Sequence, residues 1–92
     1  MVFRVVAIET EKNTIIACSQ GIWRLETPFH KIEEKVKEIL IPLLDMDEYL
    51  DTFSTSGLSI FSVYLRNYLR FSDVIRGFKE KMDMIADERV PH

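Results

Sequence analysis

The sequence has little cysteine, little glycine and no excess of positive charge. Its one cysteine, Cys18, excludes an internal disulfide and a zinc site of paired thiolates. The 12 lysines and arginines stand against 15 aspartates and glutamates, so the net charge is −3. Without a basic excess to neutralise a phosphate backbone, the composition argues against nucleic-acid binding. The three glycines, Gly21, Gly57 and Gly77, lie too far apart for a Gly-rich phosphate loop.

Long apolar runs are also missing. No stretch approaches the roughly 18 consecutive apolar residues of a membrane-spanning helix. The first residues, Met1-Val2-Phe3-Arg4, lack the charged lead and the long apolar stretch of a signal peptide. Together with the single thiol, which suits a reducing compartment, these features predict a cytoplasmic protein that does not insert into a membrane.

The length and the apolar content of the chain predict a single domain over residues 1–92. Hydrophobic residues make up 47% of the sequence, which is ample for a core. A chain of this size buries only roughly 60 to 65% of the surface that its unfolded form exposes, so pairing with another chain would stabilise it. Residues 87–92 are predicted to be a frayed tail, because Pro91 cannot continue a helix.

The N-terminal third is predicted to form a β-hairpin. Residues 2–10 are rich in β-branched side chains and close on the polar group Thr10-Glu11-Lys12-Asn13, after which residues 14–19 form a second apolar stretch. Gly21 ends this strand or forms a bulge, beyond which residues 22–25 continue it.

A helix should begin at Thr27-Pro28, because threonine can cap free amides and proline suits the first helical position. Apolar residues then recur every three or four positions as far as Leu43. Pro42 should end this helix between residues 40 and 44.

The second half allows two interpretations. Residues 49–54 can be extended, and Ser56-Gly57 can form a turn. Residues 58–65 then either complete a second hairpin, as their aromatic and β-branched content favours, or join the helix that is evident from Phe71 onward. A cap at Ser72-Asp73 favours the strand. We therefore predict a two-layer α+β fold, ββαββα, with an antiparallel sheet and two helices; the alternative is an N-terminal hairpin with a mostly helical C-terminal half.

Few residues suggest chemistry. Cys18 and His30 could act as nucleophile and base only if they met beside a group that orients the imidazole, and Cys18 lies in an apolar strand where a lone thiol is usually a core residue. The acidic group of Asp45, Asp47, Glu48 and Asp51 resembles the start of a calcium loop, but Leu50 stands where such a loop needs glycine. We predict no catalytic residue, no cofactor and no metal site.

Aromatic and arginine side chains are the candidates for an interface, since both concentrate where proteins bind one another. Arg66 and Arg70 could pair with the acidic group or with a partner. Trp23 could be either a core residue or an interface anchor. The candidate interface residues are Trp23, Tyr64, Arg66, Tyr68, Arg70, Phe71 and Phe78.

The order of elements resembles that of longin and roadblock-type domains. The residues that carry this resemblance are Val5-Val6-Ala7-Ile8 with Ile15-Ile16-Ala17, and Gly57-Leu58-Ser59-Ile60-Phe61. It implies a small module that pairs through its sheet or its helices and serves membrane-traffic and small-GTPase assemblies.

If residues 58–65 are helical, the chain instead resembles another protein over its last third. Residues 58–65 and Tyr68-Leu69-Arg70-Phe71 then look like the final helix of the small dimerising subunit of the KEOPS tRNA-modification complex. Both resemblances imply a non-catalytic partner. We therefore expect a protein–protein interaction or assembly subunit that forms a homodimer; the alternatives are a KEOPS-like accessory dimerisation subunit and a small enzyme with an unrecognised site.

Overall fold

The chain folds into a five-stranded antiparallel sheet and two helices, which confirms the predicted α+β class and the predicted order of elements. The structure, a computed structural model, describes residues 1–89. Its elements are β1 (Val2–Glu9), β2 (Thr14–Cys18), β3 (Gly21–Leu25), α1 (Phe29–Leu40), a 3₁₀ turn (Ile41–Leu43), β4 (Tyr49–Thr55), β5 (Leu58–Tyr64) and α2 (Tyr68–Arg89). Helix α2 thus extends into the predicted tail, and residues 90–92 lie outside the described residues.

The strands lie in the order β3-β2-β1-β5-β4, and every neighbouring pair is antiparallel. Strand β1 is central. It pairs with β2 through contacts such as Ile8 opposite Ile15, and with β5 through contacts such as Val5 opposite Phe61. The two hairpins predicted from the sequence are therefore joined along β1 and β5.

Residues 58–64 are a strand, so the alternative fold with a mostly helical C-terminal half is wrong. Along β5 the side chains of Ser59, Phe61 and Val63 are buried, and those between them are half-buried. This alternation has the period of a pleated strand rather than that of a helix. The turn before β5 uses Gly57 at φ 78°, a conformation that glycine adopts without strain. The resemblance to the KEOPS subunit depended on a helix here, so its structural basis is lost.

Residues 21–25 form a separate third strand rather than an extension beyond a bulge. The chain reverses at Ser19-Gln20, and β3 then pairs with β2 along its whole length, from Cys18 opposite Gly21 to Thr14 opposite Leu25. A Cβ at Gly21 would lie 3.3 Å from the ring of Trp23, so glycine leaves room for the tryptophan. The N-terminal unit is thus a three-stranded meander.

The helices begin close to the predicted positions but with different caps. Helix α1 begins after Pro28, and no side chain caps it. The expected role of Thr27 as a cap is therefore wrong. Helix α2 begins at Tyr68 instead of near Phe71, because Asn67 Oδ1 accepts a hydrogen bond of 3.0 Å from the backbone N–H of Arg70.

Both helices pack on one face of the sheet and share a single core with it. One row of paired side chains on this face runs Trp23, Ile16, Ala7, Ser59 and Ser54. Helix α2 lies over one end of this row, where Trp23 meets Phe78, and helix α1 lies over the other end, where Glu33 accepts hydrogen bonds from Ser54 and Ser59. The fold therefore has two layers, with the helices on one side only.

Gly77 in α2 marks a close approach between the helix and the 3₁₀ turn. A Cβ at this position would lie 3.1 Å from Leu43 Cδ2, so the absence of a side chain lets the 3₁₀ turn pack directly against the helix.

Candidate interaction surface

The structure does not bring Cys18 and His30 together. Cys18 ends β2 at the side of the sheet where β2 turns into β3. His30 is exposed in the first turn of α1, which follows the opposite end of β3. Burial raises the pKa of the Cys18 thiol, which disfavours the thiolate that a nucleophile needs. This geometry gives no nucleophile–base pair.

Arg70 is held by the acidic group, as the ion-pair interpretation predicted. Its guanidinium lies 2.9 Å from Glu48 Oε1 and donates a 2.6 Å hydrogen bond to the carbonyl oxygen of Leu43. The Glu48 side chain is fully buried and also accepts hydrogen bonds from the backbone N–H groups of Asp45 and Arg66. Hydrogen bonding to Arg70, against the opposing effect of burial, lowers the pKa of Glu48 to about 2.

Arg66 completes this ion-pair cluster from the surface. Its guanidinium donates a 2.7 Å hydrogen bond to Asp45 Oδ2, and the Arg70 Nε lies 3.3 Å from the same oxygen. The ion pairs of this cluster connect the loop before β4 to the first turn of α2. Two of the four acidic residues that resembled a calcium loop are thus engaged by arginines, and their charge is compensated within the fold.

Two candidate interface residues belong to the core instead. Trp23 is 5% exposed and Phe78 is completely buried, and their rings meet edge to face with centroids 5.7 Å apart. The indole Nε1 donates a 2.8 Å hydrogen bond to Asp83 Oδ1, so the one polar atom of Trp23 is satisfied within the chain. Because both rings pack between β3 and α2, neither is available on the surface.

The remaining aromatic candidates lie at the margin of the core. Phe71 is half-buried and meets Phe3 edge to face with ring centroids 5.7 Å apart. Tyr68 is 66% exposed and stacks on Phe71. Tyr64 lies on the opposite side of the sheet, where it stacks on Tyr49 with centroids 4.4 Å apart. The sequence candidates therefore do not form one surface.

The sheet face opposite the helices forms a different surface, which we call the open face. A single apolar row crosses all five strands of this face. In strand order its members are Ile22, Ala17, Val6, Ile60 and Phe53. The two ends of the row are largely in solvent, with Ile22 71% and Phe53 62% exposed. An uninterrupted apolar row of this kind is typical of a buried sheet face rather than of one that faces water.

The neighbouring rows extend the apolar area and carry the charges. On one side Ile15, Ile8 and Leu58 are paired, with Arg24 at the end of the row. On the other side lie Arg4, Ser62 and Asp51, and beyond them Val2 and the stacked tyrosines. The central row thus carries no charge, and the charged side chains lie in the rows on either side of it. Apolar centres with polar rims are typical of protein interfaces.

Sequence reasoning missed the open face because it depends on strand register. Ile22 and Phe53 stand 31 positions apart in the sequence, and only the order β3-β2-β1-β5-β4 places them on one row. A signal was nevertheless present in Val5-Val6-Ala7-Ile8, since a strand with apolar residues on both faces is usually covered on both faces. In β4 the aromatic residues Tyr49 and Phe53 stand four positions apart, so their side chains lie on the same face of the strand.

Within residues 1–89, no helix is long and apolar enough to cross a membrane. The same residues contain no group of three or more side chains placed to hold a metal ion. Comparison with known proteins finds no significant match, whether to a family model, to a curated protein or to a solved structure.

Proposed function

We propose that this protein is a non-catalytic assembly subunit that forms a homodimer through the open face of its sheet. The observation that carries the proposal is the apolar row from Ile22 to Phe53, which the fold of the single chain leaves uncovered. Such a module is also what the resemblance to longin and roadblock-type domains implies.

The area of the open face suits a dimer. Five strands spaced about 4.8 Å apart, with five to eight residues each at about 3.3 Å, cover on the order of 500 Å². This footprint covers the whole face, with the polar side chains of the neighbouring rows as well as the apolar row. Two such faces together bury about 1,000 Å², the minimum expected of a specific interface. A second copy therefore supplies an apolar surface of matching size.

The charges of the open face are compatible with self-association. When two copies stack, the central rows meet without placing like charges in the middle of the interface. Arg4, Arg24 and Asp51 are exposed and lie in the neighbouring rows, outside the apolar centre. Stacked sheets pack about 10 Å apart, a distance that isoleucine, valine and phenylalanine side chains fill.

The first prediction concerns Phe53. Phe53→Asp places a charge in the apolar row and should raise the dimer dissociation constant at least ~100-fold, because an unpaired carboxylate would be buried in each half of the interface. Light scattering coupled to size exclusion, over a dilution series, should give twice the 10.8 kDa chain mass for the wild type and the single chain mass for the variant.

The matched control is Leu69→Asp. Leu69 is 74% exposed in the first turn of α2 and lies outside the open face, so this variant should dimerise like the wild type. The proposal would be overturned by a wild-type protein that stays monomeric up to millimolar concentration, or by a dimer that Phe53→Asp leaves intact. A Phe53-dependent complex with a different protein, without self-association, would assign the open face to that protein.

A further inference from the structure

A second surface lies on the helical side of the molecule, in a groove between α1 and α2. It encloses 630 Å³, which is within the range of binding clefts. Its apolar lining comes from Ile32, Ile39 and Leu43 on one side and from Met84 and Ile85 on the other. Met84 is 55% exposed, so the groove presents apolar surface to solvent. It faces away from the open face, because the two helices cover the other side of the sheet.

The rim of this interhelical groove carries three lysines and one glutamate, Glu38, so it is basic on balance, although the chain as a whole has a net charge of −3. Lys31 and Lys35 stand on α1, and Lys81 stands on α2. Lys31 and Lys81 form no ion pair with the side chains that the structure describes, and Lys35 reaches Glu38 only at 3.8 Å between exposed groups. Lysines thus stand on both helices that border the apolar groove. This arrangement favours a ligand that has acidic groups on both sides of an apolar stripe.

The end of the groove at the start of α1 holds an unsatisfied polar group. Thr27 lines the groove, and its buried hydroxyl has no hydrogen-bond partner in the described structure. A buried hydroxyl without a partner costs free energy. The adjacent start of α1 lacks a side-chain cap, so its free amides add to the positive potential at this end.

We infer that the interhelical groove binds an acidic amphipathic helix from another protein. Lys31 and Lys35 are one turn apart, about 6 Å along α1, which is the spacing of acidic residues at positions i and i+4 of a partner helix. A groove between two helices also receives the apolar ridge of a third. A small amphiphile with one carboxylate would leave the lysines on one of the two helices without an acidic partner. The protein therefore has two binding surfaces on opposite sides, one for its own copy and one for a helical ligand.

The test uses a displayed library of amphipathic helices with a fixed apolar stripe and randomised flanking positions. The target is the Phe53→Asp variant, whose open face is disabled, so that selection reports on the rest of the molecule. Selected helices should carry Asp or Glu on both flanks. Their dissociation constants, measured by fluorescence anisotropy, should rise about tenfold in Lys31→Glu and should also rise in Met84→Asp.

The matched control is Lys12→Glu, which makes the same charge change in the exposed β1–β2 turn and should leave binding unaltered. The inference would be overturned if no helix is selected, if the flanks are basic or neutral, or if Lys31→Glu binds as tightly as Lys12→Glu. Binding of decanoate at Met84, with no selected helix, would assign the groove to a small amphiphile instead. None of these results depends on whether the wild type dimerises.

Discussion

Replacing Glu48 with glutamine is expected to lower the free energy of unfolding at neutral pH by about 3 kcal/mol, because it leaves the Arg70 guanidinium without its buried counter-ion. The side chain of Glu48 is fully buried, and that of Arg70 is 19% exposed, so solvent compensates little of the loss. Urea denaturation followed by circular dichroism measures the difference. The amide retains the size of the carboxylate, and the loss therefore reports on charge rather than on packing.

The ion pair of Glu48 and Arg70 also makes the free energy of unfolding depend on pH. The pKa of Glu48 is about 2 in the folded chain and 4.5 ordinarily. The contribution of the carboxylate is therefore fully present above about pH 4.5 and is lost as the pH falls toward 2. The stability difference between the wild type and Glu48→Gln should narrow over this range. Asp47→Asn, an exposed change in the same loop, should stay within about 0.5 kcal/mol of the wild type. A difference that is constant with pH would contradict the electrostatic explanation.

A comparable loss is expected from Phe78→Ala, which removes a completely buried ring and should cost about 3 to 5 kcal/mol. The ring packs edge to face on Trp23, so the substitution removes a contact between α2 and β3 as well as leaving a cavity. Thermal unfolding followed by tryptophan fluorescence measures this loss, since Trp23 is the only tryptophan and lies in the affected contact.

Phe53→Ala is the matched control for Phe78→Ala. It removes the same side chain from the open face, where the ring is 62% exposed, so the intrinsic stability of the monomer should change by less than about 1 kcal/mol. Any further loss should appear only at concentrations where the wild type dimerises, because association stabilises by mass action. Equal losses from the two variants at high dilution would contradict the assignment of Phe78 to the core and of Phe53 to an interface.

Much of the fold could be predicted from the sequence, because its local signals agree with the tertiary structure. The polar group Thr10 to Asn13, the step Thr27-Pro28 and the turn at Ser56-Gly57 each lie where an element ends or begins. Residues 58–65 were ambiguous because apolar side chains on both faces of a strand remove the alternation that distinguishes it from a helix. The reversal between β2 and β3 could not be predicted, because Gly21 indicates either a strand end or a bulge, whereas the turn itself is Ser19-Gln20.

The candidate sites were predicted less well, since they depend on which elements become neighbours. The acidic group is one of the two partners that the sequence allows for Arg70, the other being a second protein, and only the fold shows that Glu48 and Asp45 lie beside it. The location of Trp23 could not be decided, because an aromatic side chain suits a core and an interface equally. The interhelical groove was not foreseen: Lys31 and Lys81 stand 50 positions apart, and nothing in either helix indicates that the other lies alongside.

The central position of β1 has a consequence for how the protein is made. This strand is synthesised before the other four strands of the sheet, but one of its two neighbours, β5, ends at Tyr64. Until that segment has left the ribosome, the nascent meander has an unpaired edge along Val5 and Ala7, and closing the sheet requires a loop of about fifty residues to form. The pairing of β1 with β5 should therefore be the slow step of folding. Before it occurs, the growing chain is most exposed to aggregation and to chaperones.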